Sequence, residues 1–136
     1  MRRVLLIGAV LVASSPAVAA APLVHATASC APATKPGRVR CRAVIELPLD
    51  VVGKRKLSFA ELRVTRTDPG VTPLRARLGP LDAEQMDASR ATFTFSVATE
   101  KVGEATMTVR LSAVVEGDGT PTPASHSLEV AVRVVP

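Results

Sequence analysis

The sequence has no tryptophan and no tyrosine, and only three phenylalanines among its 136 residues. Bases of single-stranded nucleic acids stack on aromatic side chains, and sugars are commonly held the same way, so neither ligand class is expected. Interfaces anchored on aromatic hot spots are disfavoured for the same reason. Histidine is almost as scarce. His25 and His126 are the only two, and neither stands at metal-ligand spacing. The chain also lacks Gly-x-Ser-x-Gly, His-Glu-x-x-His and a phosphate-binding glycine loop. Ser125-His126-Ser127 comes nearest to a hydrolytic set, and it reads as the polar start of a strand. Glu116 and Asp118 offer two carboxylates where calcium takes six or more oxygens. A non-enzymatic protein without metal or cofactor is the expectation.

Long apolar runs are missing too, apart from one at the start. Met1-Arg2-Arg3 is basic, Val4 to Val12 is apolar, and Ser14-Ser15-Pro16 precedes the small residues Ala17-Val18-Ala19-Ala20. That is the order of a secretory signal peptide. The apolar run falls well short of the ~20 residues that span a bilayer. Residues 1–20 are therefore expected to be removed, leaving a single domain over 21–136 with no transmembrane segment, periplasmic or extracellular. Thr27-Ala28-Ser29-Cys30 has the outline of a lipidation site, with Thr27 where leucine is usual. A lipid-anchored envelope protein is the alternative it raises.

Only two cysteines are present, Cys30 and Cys41. In an exported chain such a pair reads as one disulfide, and a disulfide removes Cys41 from consideration as a nucleophile.

Strand periodicity fills the remainder. Pro22 to Ser29 alternates mildly, in phase with Cys30. Arg38 to Leu47 alternates cleanly, placing Val39, Cys41, Ala43, Ile45 and Leu47 on one face. Leu57 to Thr67 changes phase, which a bulge near Ala60-Glu61 would explain. Asp68-Pro69-Gly70 is a turn, and Leu74, Ala76 and Leu78 predict a short edge strand opened by Pro73. Asp82 to Gln85 has the form of a capping box with Asp82 as N-cap. Ala91 to Ala98 and Ala105 to Leu111 alternate on either side of Glu100-Lys101-Val102-Gly103, the pattern of an antiparallel hairpin. Glu116 to Pro123 is a loop, and Leu128, Val130, Val132 and Val134 mark the last strand. About seven short strands with almost no helix predict an all-β chain. The expected fold class is a single antiparallel β-sandwich, immunoglobulin/fibronectin-III-like.

Charge is distributed unevenly. Without Arg2 and Arg3 the chain carries 15 basic and 12 acidic residues, a net charge of +3. Between Cys30 and Lys56, seven basic residues stand against Glu46 and Asp50 alone. Arg38, Arg40 and Arg42 share one strand face, about 7 Å apart, and Lys54, Arg55 and Lys56 follow in a loop tip. These six are the candidate anion- or partner-binding residues. The expected role is that of an exported structural or protein-interaction module. Its partner would be an unknown protein or an anionic envelope component. Docking by strand addition would use either Val71 to Leu78 or the terminal strand, and the alternative is an anion-recognising protein working through the basic face and loop.

Overall fold

The structure, a computed structural model, describes residues 22–136; the expected signal peptide lies outside the described residues. Nine strands form two antiparallel sheets: β1 (His25–Cys30), β2 (Gly37–Glu46), β3 (Lys56–Thr67), β4 (Val71–Pro73), β5 (Arg77–Leu78), β6 (Gln85–Met86), β7 (Arg90–Thr99), β8 (Gly103–Glu116) and β9 (Thr122–Val134). The first sheet has the order β1-β2-β7-β4, with β6 also on β7, and the second has the order β5-β3-β8-β9. This is the immunoglobulin-like β-sandwich expected from the periodicity. No helix among the described residues is long and apolar enough to cross a membrane.

The alternation of β2 holds along its whole length, with Val39, Cys41, Ala43, Ile45 and Leu47 all buried. Phe93, Phe95 and Val97 of β7 and Met107, Val109 and Leu111 of β8 are likewise buried. The two strands are not a hairpin, however. β7 pairs with β2, β4 and β6, whereas β8 pairs with β3 and β9. Residues 100–103 arch from one sheet to the other, so the two apolar faces belong to opposite walls of the core. Alternation reports which side of a strand is buried, and it is the same for a neighbour beside it or across from it.

Three further expectations are corrected. The phase change in β3 occurs at Ser58, between the paired residues Leu57 and Phe59, with a second shift at Thr65. The extra residue lets Leu57, Ala60 and Leu62 all turn inward, leaving Phe59 half-buried. The segment Val71 to Leu78 is not one strand: β4 lies on the edge of the first sheet and β5 on that of the second. Pro73 pairs with Val97, and the chain leaves β7 after the exposed Leu74, whose N–H donates to the Ser96 carbonyl at 3.0 Å. Finally, Asp82 ends a 3-10 turn, Pro80–Asp82, and its Oδ2 accepts the Gly79 N–H at 2.8 Å. Asp82 thus occupies the position expected of Gln85, which starts β6 instead.

The sandwich has one broken side and one continuous side. On the broken side β4, β5 and β6 are two or three residues long. On the other, β9 runs for 13 residues. Ala33 covers only the far end of its edge, donating to the Arg133 carbonyl at 3.0 Å and accepting from the Val135 N–H at 2.8 Å. The stretch Thr122 to Leu128 carries no Asp, Glu, Lys or Arg, and Pro123 is the residue in it that blunts the edge. Inside the fold, Thr92 is wholly buried and its hydroxyl has no protein partner.

Cys30 and Cys41 are register partners across β1 and β2 and form a disulfide, leaving no free cysteine among the described residues. Closing a loop with a sequence separation of 11 is worth about 3 kcal/mol in the chain-entropy account. Disulfides persist in the periplasm and outside the cell, not in a reducing cytosol; this is an exported protein. Cys30 has no free thiol to carry a lipid, so the lipid-anchored alternative is set aside.

Candidate functional site

Arg38, Arg40 and Arg42 occupy the outer face of β2, because their even-numbered positions oppose the buried odd ones. All three are exposed. Their register partners on β7 are small: Ala98, Ser96 and Thr94. On the other side Arg42 faces Ser29 of β1, and the Arg40 carbonyl accepts the Ala31 N–H at 2.8 Å. Short neighbours on both flanks leave the guanidinium groups standing above the sheet.

Among the described residues the row shares with Lys54, Arg55, Lys56 and Arg110, and not with six other arginines, the lack of an ion pair. Arg63, Arg66, Arg75, Arg77, Arg90 and Arg133 each lie within 4.0 Å of one, and the distances run from 2.7 to 3.6 Å. Arg110 instead bonds the Ser125 hydroxyl at 2.9 Å. Arg38, Arg40 and Arg42 form no ion pair among the described residues. A groove of about 650 Å³ opens over Arg40 and Arg42, bounded by Ser29 and Ala31 on one side and by Thr94 and Glu84 on the other. Glu84 is the single carboxylate on its rim, and its Oε1 accepts the Thr94 hydroxyl at 2.9 Å. Ser29, Thr94 and Glu84 were not singled out from the sequence. Glu84 sits within the supposed capping box, and the groove exists only through pairing of three strands remote in the chain.

The second basic group is elsewhere. Lys54, Arg55 and Lys56 follow a 3-10 turn, Leu49–Val51, at the end of the sandwich where β2 stops. They line a cleft of about 490 Å³ together with Ala88, Ser89 and the loop Glu116 to Gly119. Lys56 is the register partner of Glu116. The loop presses close: a side chain on Gly117 would bring its Cβ to 2.8 Å from Arg55 Cγ. Acidic Glu116 and Asp118 therefore share the cleft with the three cations and offset their field. The six candidates thus fall into two separate groups, a row on the outer face of β2 with Glu84 and Asp82 lining its pockets and a cleft shared with Glu116 and Asp118.

The remaining polar features are structural. His126 points toward the core side of β9 and is half-buried, while Ser125 and Ser127 occupy the opposite face and are exposed, so the three cannot act on one bond. No group of three His, Cys, Asp or Glu residues is placed to hold a metal among the described residues. Three carboxylates are held below their usual range. Glu61 is lowered chiefly by the hydrogen bond from Arg77, with partial desolvation opposing it. Asp82 is lowered chiefly by Arg75, then by the Gly79 N–H, and Asp87 by the backbone N–H and hydroxyl of Ser89. All three brace the broken side of the sandwich: Arg75 and Asp82 tie the two ends of the excursion through β5 at 3.0 Å.

No protein-family model matches the sequence, and neither does any curated protein. Among solved structures the chain is similar to AggA, the major subunit of aggregative adherence fimbriae type I from Escherichia coli, at 10% identity with a TM-score of 0.46, over 82% of this chain and 95% of that one. The likeness is one of chain path and carries no residue role across.

Proposed function

We propose that this chain is an exported, non-enzymatic binding module, with a structural or protein-interaction role in the cell envelope or outside the cell, whose working surface is the outer face of the β1-β2-β7 sheet. The single observation that carries this reading is the collinear, exposed row Arg38, Arg40, Arg42, which forms no ion pair among the described residues where six other arginines do. Neighbouring charges at ~7 Å repel by about 0.6 kcal/mol in water before salt screening. A strand that keeps three of them together outside any ion pair leaves their guanidinium groups open to an external anion. Arginine suits this role, since its planar fork binds carboxylate and phosphate in pairs of hydrogen bonds.

The test compares two charge-matched variants. Replacing Arg38, Arg40 and Arg42 by Ser, or Lys54, Arg55 and Lys56 by Ser, removes three positive charges in each case. On an immobilised sulfated polymer the first variant elutes at much lower salt than the second. Equal losses would mean that net charge alone sets retention, and the proposal would fail.

A further inference from the structure

We infer that the free edge of β9 pairs with the same edge of a second copy of this chain, antiparallel, around a two-fold axis at Ser127. This surface is separate from the arginine row, which lies on the other sheet. β8 and β9 keep one register over their whole paired length, without a bulge, so the backbone groups of alternate β9 residues point the same way. The Arg133 carbonyl and the Val135 N–H turn off the edge, toward Ala33. In the same phase, the N–H and C=O groups of Ser125, Ser127, Glu129 and Ala131 also point off the edge. No backbone bond from outside β8 reaches them among the described residues. Pro123, next in phase, has no N–H to give and marks where the available ladder ends.

An edge alone would accept any extended chain; the charges on its outer face select a copy. Arg110 and Glu129 both lack an ion pair among the described residues. The register partner of Arg110 is Ser127, which Ser125 and Glu129 flank on the same face of β9. Arg110 leans away from its own Glu129 and donates to the Ser125 hydroxyl at 2.9 Å. Antiparallel pairing centred on Ser127 sets Ser125 of each copy opposite Glu129 of the other. Each guanidinium then meets the carboxylate it lacks, and the two-fold axis makes the contact twice. On the inner face Ala124, His126 and Leu128 are only half-buried. The same register places His126 of each copy beside Leu128 of the other, and joins two four-stranded sheets into one.

The experiment follows the full mature chain by sedimentation velocity from micromolar to sub-millimolar concentration. A reversible dimer is expected, and with it slower amide exchange at Ser125, Ser127, Glu129 and Ala131. Ser127→Pro removes an outward N–H and no bond to β8, so it keeps the fold by circular dichroism and abolishes the dimer. Glu129→Arg and Arg110→Glu each weaken the dimer by roughly tenfold or more, since both attractive contacts become repulsive. An equimolar mixture of these two variants regains it, because both contacts are then between opposite charges. A chain that stays monomeric, a dimer that survives Ser127→Pro, or charge variants that fail to rescue each other would overturn the inference. So would protection of the same amides only when other secreted proteins are added, which would give the edge to a different partner.

Discussion

Phe93→Ala tests the packing on which the whole architecture depends. Phe93 is fully buried at the centre of β7, opposite Ala43 in register and within the continuous core. Truncating a buried Phe costs about 3–5 kcal/mol through lost transfer energy and the cavity left behind. The 115 residues from 22 to 136 give an unfolding entropy of about 0.24 kcal/mol/K, so a loss near 4 kcal/mol lowers Tm by roughly 15 °C. Phe59→Ala is the matched control: the same atoms leave a half-buried position outside the phase of Leu57, Ala60 and Leu62. Its cost should stay near ~1 kcal/mol, a shift of about 4 °C. Urea unfolding followed by circular dichroism, with the disulfide intact in both variants, reads the difference. Should the core variant approach the limit of stability, Phe93→Leu gives a milder loss of under ~1.5 kcal/mol. Equal costs for the two alanine variants would refute the assignment of β3 and β7 faces.

Two other outcomes follow from buried or paired polar groups. Thr92→Val keeps the shape of the side chain and removes a buried hydroxyl without a protein partner. It should raise stability by about 1 kcal/mol, and a loss in thermal unfolding would show that the hydroxyl is satisfied. Glu61 has a folded pKa below its unfolded one because it accepts bonds from Arg77 and Arg63 at 2.7 and 3.4 Å. Such a group stabilises the fold above its unfolded pKa, and the contribution disappears as pH falls through the folded pKa. Stability should therefore decline below about pH 4, and Glu61→Gln should flatten that decline. Superimposable acid limbs for the two proteins would refute the ion pair's role.

How far the sequence could be read depended on the range of the interaction involved. The face of β2 was legible because Val39 to Leu47 alternate against Arg38, Arg40 and Arg42 within one strand. The disulfide was legible because the chain offers only one pairing. The partner of β7 was not. The four residues from Glu100 to Gly103 suit a hairpin or an arch equally, and the choice is made by β3 and β9, which claim both edges of β8. The excursion through β5 was hidden for a similar reason: Leu78 is buried on β3 while Val71 is buried on β7, and one short alternating run spans both. The row of arginines could be seen locally; the acidic loop that offsets Lys54 to Lys56 lies some sixty residues onward.

The disulfide also governs how the domain would bear tension. β1 is entered at the end of the sandwich where Glu46 lies, and β9 is left at the opposite end, beside Gly103. A pull on the two flanking segments therefore runs along the strands, loading ladder hydrogen bonds that lie across it together instead of one after another. β1 offers only six register pairs against thirteen in β9, so it yields first. Its sliding stops at Cys30, where the covalent link passes the load directly to Cys41 in the middle of the sheet. The loop between the two cysteines is spared, and β2, carrying the arginine row, becomes the strand through which force enters the core.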